Sequence, residues 1–116
     1  MPLDDLVYAG HMLDLARKVV ERLGRSTRAD FESNEDLRLA LTHLIQTIGE
    51  AARHVSDEFK MAHPAIPWAD AIGMRHKVVH DYMNVDDEIV WDVASKEVPA
   101  LVKELERVLP QEPSRE

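Results

Sequence analysis

A short polar segment at residues 74–86 contains the side chains best suited to chemistry, in the order MRHKVVHDYMNVD. Arginine is a fixed cation whose planar guanidinium matches phosphate oxygens, and histidine exchanges a proton near neutral pH. Arg75 and His80 are therefore the minimum set for cleaving RNA without a metal ion. The histidine would act as base toward a ribose 2′-hydroxyl or as acid toward the leaving oxygen, and the arginine would stabilise charge on the phosphate.

The spacing of these two residues constrains how they could act together. Residues five positions apart lie roughly 140° apart around an α-helix. Arg75 and His80 can therefore converge only if the helix ends or distorts near His80, or if a second chain supplies one of the groups. His76 and His80 are four apart and share a helix face, a spacing that also occurs in zinc sites. A metal-binding bundle with Asp81 or Glu50 as a further ligand is thus one alternative.

Each of these residues also has an ordinary structural explanation. An arginine in a helical bundle commonly pairs with a carboxylate such as Glu50, and a histidine near a helix C-terminus is a favourable charge. Lys77 is expected to be a solvated charge, and Asp81 suits either a helix end or a role in orienting His80. Without further context, Tyr82 would be a half-buried tyrosine. The other histidines are expected at the surface or an interface, namely His11, His43, His54 and His63.

Length, charge and composition limit the class of protein. The 116 residues predict one domain at residues 1–110, followed by a flexible tail at 111–116. The absence of cysteine excludes disulfides and thiolate metal sites. No apolar run reaches the ~20 residues needed to cross a bilayer, and the N-terminal segment has aspartates where a signal peptide has positive charge, so a cytoplasmic location is expected. The net charge of −8 means that any contact with nucleic acid must be local, built from two chains or dependent on a partner.

The apolar residues recur with helical spacing and show no strand alternation, so they predict an all-α, up-and-down four-helix bundle. The predicted helices lie at about residues 3–23, 34–59, 67–80 and 86–109. Asn34 and Asp86 are the expected N-caps, and Pro99 is expected to kink the last helix. The segment at 25–34 is predicted to be a loop anchored in the core by Phe31. Small residues around Gly49 would allow another helix to approach closely or would leave room for a ligand.

The segment GMRHKVVHDYMNVDDEIVW resembles the signature of the HEPN superfamily, specifically the HepT-type ribonuclease toxins. That signature is Arg, four residues, His, one residue, Tyr, and it fits Arg75, His80 and Tyr82. His76 departs from the toxin branch, which more often has asparagine after the arginine. The resemblance extends over nearly the whole chain, in the segments HMLDLARKVVERLG, ADFESN, IGEAARHVS, HPAIPW and VWDVASKEVPALVKEL.

The resemblance implies a homodimeric, HEPN-like bundle that works as a metal-independent endoribonuclease without a cofactor. Its two Arg/His motifs would face each other across the dimer cleft, which would supply groups from two chains. Arg75 and His80 would be the catalytic residues, and His76, Glu50 and Asp81 would support them.

The resemblance also implies a regulatory partner. The protein would be the toxin of a type VII-like toxin–antitoxin pair, and its antitoxin would be a minimal nucleotidyltransferase. That enzyme would transfer AMP from ATP to Tyr82, placing a bulky anionic group in the cleft and silencing the nuclease. The alternative is a non-catalytic HEPN module that binds nucleotide or serves as a scaffold for a nucleotidyltransferase.

Overall fold

A computed structural model describes residues 3–81 and 84–110, with every side chain in these ranges except those of Leu3, His80, Asp81 and Asn84. The first part of the chain forms helices α1 (Leu3–Gly24), α2 (Arg28–Ser33), α3 (Glu35–Arg53), α4 (Asp57–Ala62) and α5 (Trp68–Val78). The second part forms strands β1 (Val79–Asp81) and β2 (Asn84–Val85), helix α6 (Asp87–Asp92), a π-helical segment (Val93–Glu97) and helix α7 (Val98–Val108). The predicted tail at 111–116 lies outside the described residues.

The predicted all-α helical bundle is confirmed. Helix α3 packs against α1 on one side and α5 on the other, and α7 packs against α1. The apolar stripes of these helices meet in one core, whose fully buried members include Met12, Val19, Ile45, Ile48, Leu101 and Leu105. Within the described ranges, no helix has the length and apolarity that crossing a membrane requires. The homodimer remains a prediction.

The segment predicted as a loop at 25–34 contains helix α2, so this prediction was wrong in part. Thr27 caps the helix reciprocally with Asp30: its hydroxyl accepts from the Asp30 amide at 3.1 Å, and its own amide donates to the Asp30 carboxylate at 2.9 Å. Phe31 is buried as expected, with its ring centroid 5.3 Å from that of Trp91. A helix this short offers too few turns for a periodic signal.

The predicted helix at 34–59 is in fact two helices, α3 and α4, although Asn34 caps the first as expected. Ser56 caps α4 by accepting a hydrogen bond from the Phe59 amide at 3.1 Å. Ser56 also donates to the buried carboxylate of Asp5 in α1, from its hydroxyl at 2.7 Å and from its amide at 2.8 Å. Val55 and Phe59 are both buried, so the apolar spacing continues across the break and conceals it.

We expect the contact between Asp5 and Ser56 to stabilise the folded protein at neutral pH and to lose this effect at acidic pH. The hydrogen bonds from the Ser56 hydroxyl and amide hold the pKa of the Asp5 carboxyl below its ordinary value. The unfolded chain therefore binds this proton more tightly, so the stabilisation is complete above about pH 4 and is lost as the pH falls through the lower folded pKa. Asp5→Asn should lower the urea midpoint of unfolding at neutral pH. Between neutral and acidic pH, this midpoint should fall less in the variant than in the wild type.

The matched control for that prediction is Asp4→Asn, which alters the exposed neighbouring aspartate. Its urea midpoints should follow those of the wild type from neutral to acidic pH. If the two variants gave the same pH dependence, Asp5 would have no special part in acid unfolding.

The third predicted helix, at 67–80, ends earlier than expected, at Val78. A short antiparallel hairpin of strands β1 and β2 follows. The register pairs Val79 with Val85 and Asp81 with Asn84. Because the helix ends two residues before His80, one of the conditions under which Arg75 and His80 could converge is met.

The last helix begins after the predicted N-cap Asp86, whose carboxylate accepts from the Ile89 amide at 3.3 Å. The disturbance expected at Pro99 appears as the π-helical segment that precedes α7. Proline lacks an amide hydrogen and its ring crowds the carbonyl four residues earlier, and a π-helical turn is one way to relieve that conflict. The Val98 amide accordingly bonds to the carbonyl of Val93, five residues back.

Candidate active site

Arg75 lies in the last turn of α5, with about half of its side chain exposed (51%). Its Nη1 atom is 3.4 Å from Oε2 of Glu50 on α3, so the contact predicted between these residues is present. The Glu50 carboxylate also lies 3.8 Å from Nη1 of Arg53 and 3.5 Å from Nε2 of His54. Because the contact is long and exposed, it is a weak ion pair that a phosphate could replace.

Gly49 determines how closely the two helices of the site approach. A Cβ atom at this position would lie 3.2 Å from the Ala71 carbonyl oxygen, 3.3 Å from that of Ile72 and 3.4 Å from the Arg75 amide nitrogen. All three neighbours are backbone atoms, so they cannot turn aside as a flexible side chain would. Of the two uses expected for the small residues here, the structure supports close helix approach, which places Arg75 beside Glu50.

An open groove lies between α3 and α5, with a volume of about 390 Å³. It is lined by His43, Gln46, Thr47, Glu50 and Arg75. This volume falls within the range of small-molecule sites. The guanidinium of Arg75 therefore faces a space that can admit a phosphate group with part of its nucleotide.

The residues that follow Arg75 have different environments. His76 is exposed in the last turn of α5. Lys77, expected to be a solvated charge, places its Nζ 2.9 Å from Oε1 of Glu97 in the π-helical segment. The hydrogen bond to Glu97 raises the pKa of Lys77, with a smaller contribution from the charge of Asp70. Lys77 keeps 41% of its side chain exposed, as expected for a solvated charge, and its ion pair also joins α5 to the π-helical segment.

The remaining motif residues lie at the edge of what the structure describes. The backbones of His80 and Asp81 form part of β1, but their side chains are outside what the structure describes. Tyr82 is entirely outside the described residues. The roles predicted for these three residues stay predictions. Among the described side chains, no group of three or more histidines or carboxylates could hold a metal ion. The zinc alternative depends on His80 and is not tested by that finding.

The structure also brings together residues that the sequence analysis had not connected. His43, Thr47, Glu50 and His54 follow one another along α3 at steps of four, three and four residues, and all line surface grooves. His11 on α1 faces the same side, whereas His63 is half-buried against the ring of Phe59. The step pattern on α3 is a helical face and could have indicated this surface from the sequence.

Comparisons with known proteins identify the family of this chain. The family model described as Ribonuclease HepT-like matches residues 12–108. A protein of Caldanaerobacter subterraneus, named as a candidate RNase, is 32% identical over 105 residues, which cover 90% of this chain and 94% of that protein. A probable ribonuclease HepT of Thermococcus cleftensis is 32% identical over 105 residues, covering 87% of this chain and 94% of its own length.

A further relative, named as a candidate RNase of Methanocaldococcus jannaschii, is 30% identical over 97 residues. The match covers 84% of this chain and 89% of that protein. No solved structure gives a significant match. Since the family model runs from α1 to the end of α7 and includes the segment from Arg75 to Tyr82, this chain belongs to the HepT-like ribonuclease family.

Proposed function

We propose that this protein is a metal-independent endoribonuclease in which Arg75 stabilises the phosphate and His80 transfers protons. The observation that carries the proposal is the half-exposed guanidinium of Arg75 at an open groove, in a chain that matches a ribonuclease family over nearly its full length. The relatives named as RNases support the same activity.

The proposed reaction uses the ribose 2′-hydroxyl as its nucleophile. His80 removes the hydroxyl proton, the 2′-oxygen attacks the adjacent phosphorus, and the bond from phosphorus to the 5′-oxygen breaks. The leaving oxygen takes a proton from a second acid, and the products are a 2′,3′-cyclic phosphate and a 5′-hydroxyl. Arg75 stabilises the negative charge that builds on the phosphoryl oxygens. Glu50 pairs with Arg75 until the phosphate binds, His76 adds a contact to phosphate, and Asp81 orients His80.

A homodimer would complete this site. The net charge of the chain is −8, so a single copy offers RNA little attraction beyond its local groups. Two facing motifs would double the local positive charge from Arg75 and would supply both the base and the acid from two copies of His80.

The proposed toxin role includes control by a minimal nucleotidyltransferase antitoxin. That partner would transfer AMP from ATP to the Tyr82 hydroxyl, forming a phosphodiester and releasing pyrophosphate. Tyr82 follows His80 by two residues, so the added group would bring bulk and negative charge to the place where the RNA phosphate binds.

The experiment that tests the proposal measures RNA cleavage in EDTA and determines the intact mass of the same preparation. We expect the unmodified protein to cut RNA and His80→Ala to leave it intact. Incubation with the nucleotidyltransferase and ATP should then add AMP to Tyr82 and stop cleavage. An unmodified wild-type protein that did not cut RNA would contradict the proposal and favour the non-catalytic scaffold.

A further inference from the structure

A second groove lies beside the first, between α1 and α3, with a volume of about 420 Å³. Its most distinctive feature is a pair of stacked rings, Tyr8 and His54, whose centroids are 5.0 Å apart with 20° between their planes. His11 meets Tyr8 edge-on at 6.2 Å. Leu15 and Ala51 add apolar surface to the lining. The groove therefore offers flat aromatic faces and apolar contacts to a planar ligand.

The two grooves adjoin along the exposed face of α3. Thr47 and Glu50 line both of them, with Arg75 in one and the Tyr8–His54 pair in the other. A chain molecule whose phosphate lies at Arg75 can thus extend over Glu50 toward the stacked rings. The shared lining residues place the second groove next to the proposed site of cleavage.

We infer that the groove at Tyr8 and His54 binds an unpaired nucleobase of the RNA, next to the nucleotide whose phosphate lies at Arg75. The inference rests on the proposed function and adds a substrate-binding subsite to it. Bases stack on aromatic side chains without needing a cationic surface, so this subsite would provide affinity in a chain whose net charge is −8.

The charges around the groove favour a base over a phosphate inside it. Asp14 lines this groove but not the one at Arg75, and its carboxylate would repel a phosphate, whereas a base is neutral and flat. Lys18, an exposed lining residue, is the basic group that can meet the phosphate of the same nucleotide from outside. The subsite therefore takes the base inward and leaves the RNA backbone in solvent.

The test uses a short RNA with one mapped cleavage site and a series of copies, each lacking the base at one flanking position. With wild-type protein, we expect loss of one particular base to raise KM about tenfold, as expected for the loss of one stacking contact. Tyr8→Ala should raise KM by a similar factor on the intact RNA, with no further rise when that base is missing. Tyr8→Phe, which keeps the ring, should restore the wild-type KM.

The control is Val7→Ala, which alters an exposed neighbour on α1 that does not line the groove. Tyr8 packs partly against the core, so the exposed His54 provides a second variant, His54→Ala, with the same expected pattern. If the wild type cuts RNA and KM is unchanged in both Tyr8→Ala and His54→Ala, the proposed subsite is wrong. The nuclease proposal would still stand.

Two other results would also overturn the subsite. If the variants changed self-association and left KM unaltered, the groove would be a contact between protein chains. If the unmodified wild type did not cut RNA in EDTA, the nuclease proposal would fail, and the subsite that rests on it would fail too.

Discussion

Arg75→Ala is expected to lower RNA cleavage about a hundred- to a thousandfold, the usual cost of removing a group that stabilises charge in the transition state. His80→Ala is expected to lower it by about a hundred- to ten-thousandfold, because proton transfer is lost. Arg75→Ala should keep the wild-type unfolding temperature, since Arg75 is half-exposed and its ion pair to Glu50 is weak. The measurement is the rate of cleavage in EDTA at saturating RNA, together with loss of growth arrest in cells.

The matched control is Arg53→Ala. Arg53 approaches the same Glu50 carboxylate, at 3.8 Å, and its side chain is also about half exposed (55%). If the cleavage rate depended on the ion pair to Glu50, Arg53→Ala and Arg75→Ala would lower it by similar factors. We expect Arg53→Ala to be near wild type and Glu50→Ala to cost at most about fivefold, the scale of an exposed ion pair. Full cleavage by Arg75→Ala or by His80→Ala would disprove the proposed mechanism.

The second large effect is expected at Gly49, where Gly49→Ala should be about 1–3 kcal/mol less stable than Gly73→Ala. Both glycines lie inside helices, so replacing either one by alanine favours the helical backbone by the same roughly 0.5–1 kcal/mol. They differ in the space available, because a Cβ atom at Gly73 meets nothing within 4 Å, whereas one at Gly49 meets backbone atoms of α5 at 3.2 to 3.4 Å. Urea unfolding of the three proteins measures the difference directly.

The same pair of variants tests whether Gly49 also positions Arg75 for cleavage. One of the atoms crowded by a Cβ atom at Gly49 is the Arg75 amide nitrogen, so Gly49→Ala should shift Arg75 and lower cleavage as well as stability. Gly73→Ala adds its methyl group to open space and should cut RNA at the wild-type rate. Equal stability and equal cleavage rates of the two variants would show that Gly49 does not fix the position of Arg75.

The sequence by itself determined the features that depend on neighbouring residues. Apolar spacing located the main helices, and the side chains of Asn34 and Asp86 act as caps at the predicted positions. These features are local, because a cap bonds amides within one helical turn and an apolar stripe follows from 3.6 residues per turn. The expectation that Glu50 would contact Arg75 was also correct. Glu50 lies on α3 and Arg75 on α5, and these two helices pack against each other.

Only the tertiary structure decided features that join distant parts of the chain. Helix α4 begins where it does because Ser56 bonds Asp5, which is 51 positions away, and Lys77 is held by Glu97 across two elements. The grooves that link Arg75 to Tyr8 and His54 arise from the packing of α3 against both α5 and α1. Periodicity in one segment reports which face of a helix is buried, but it carries no information on which side chain of another helix that face will meet.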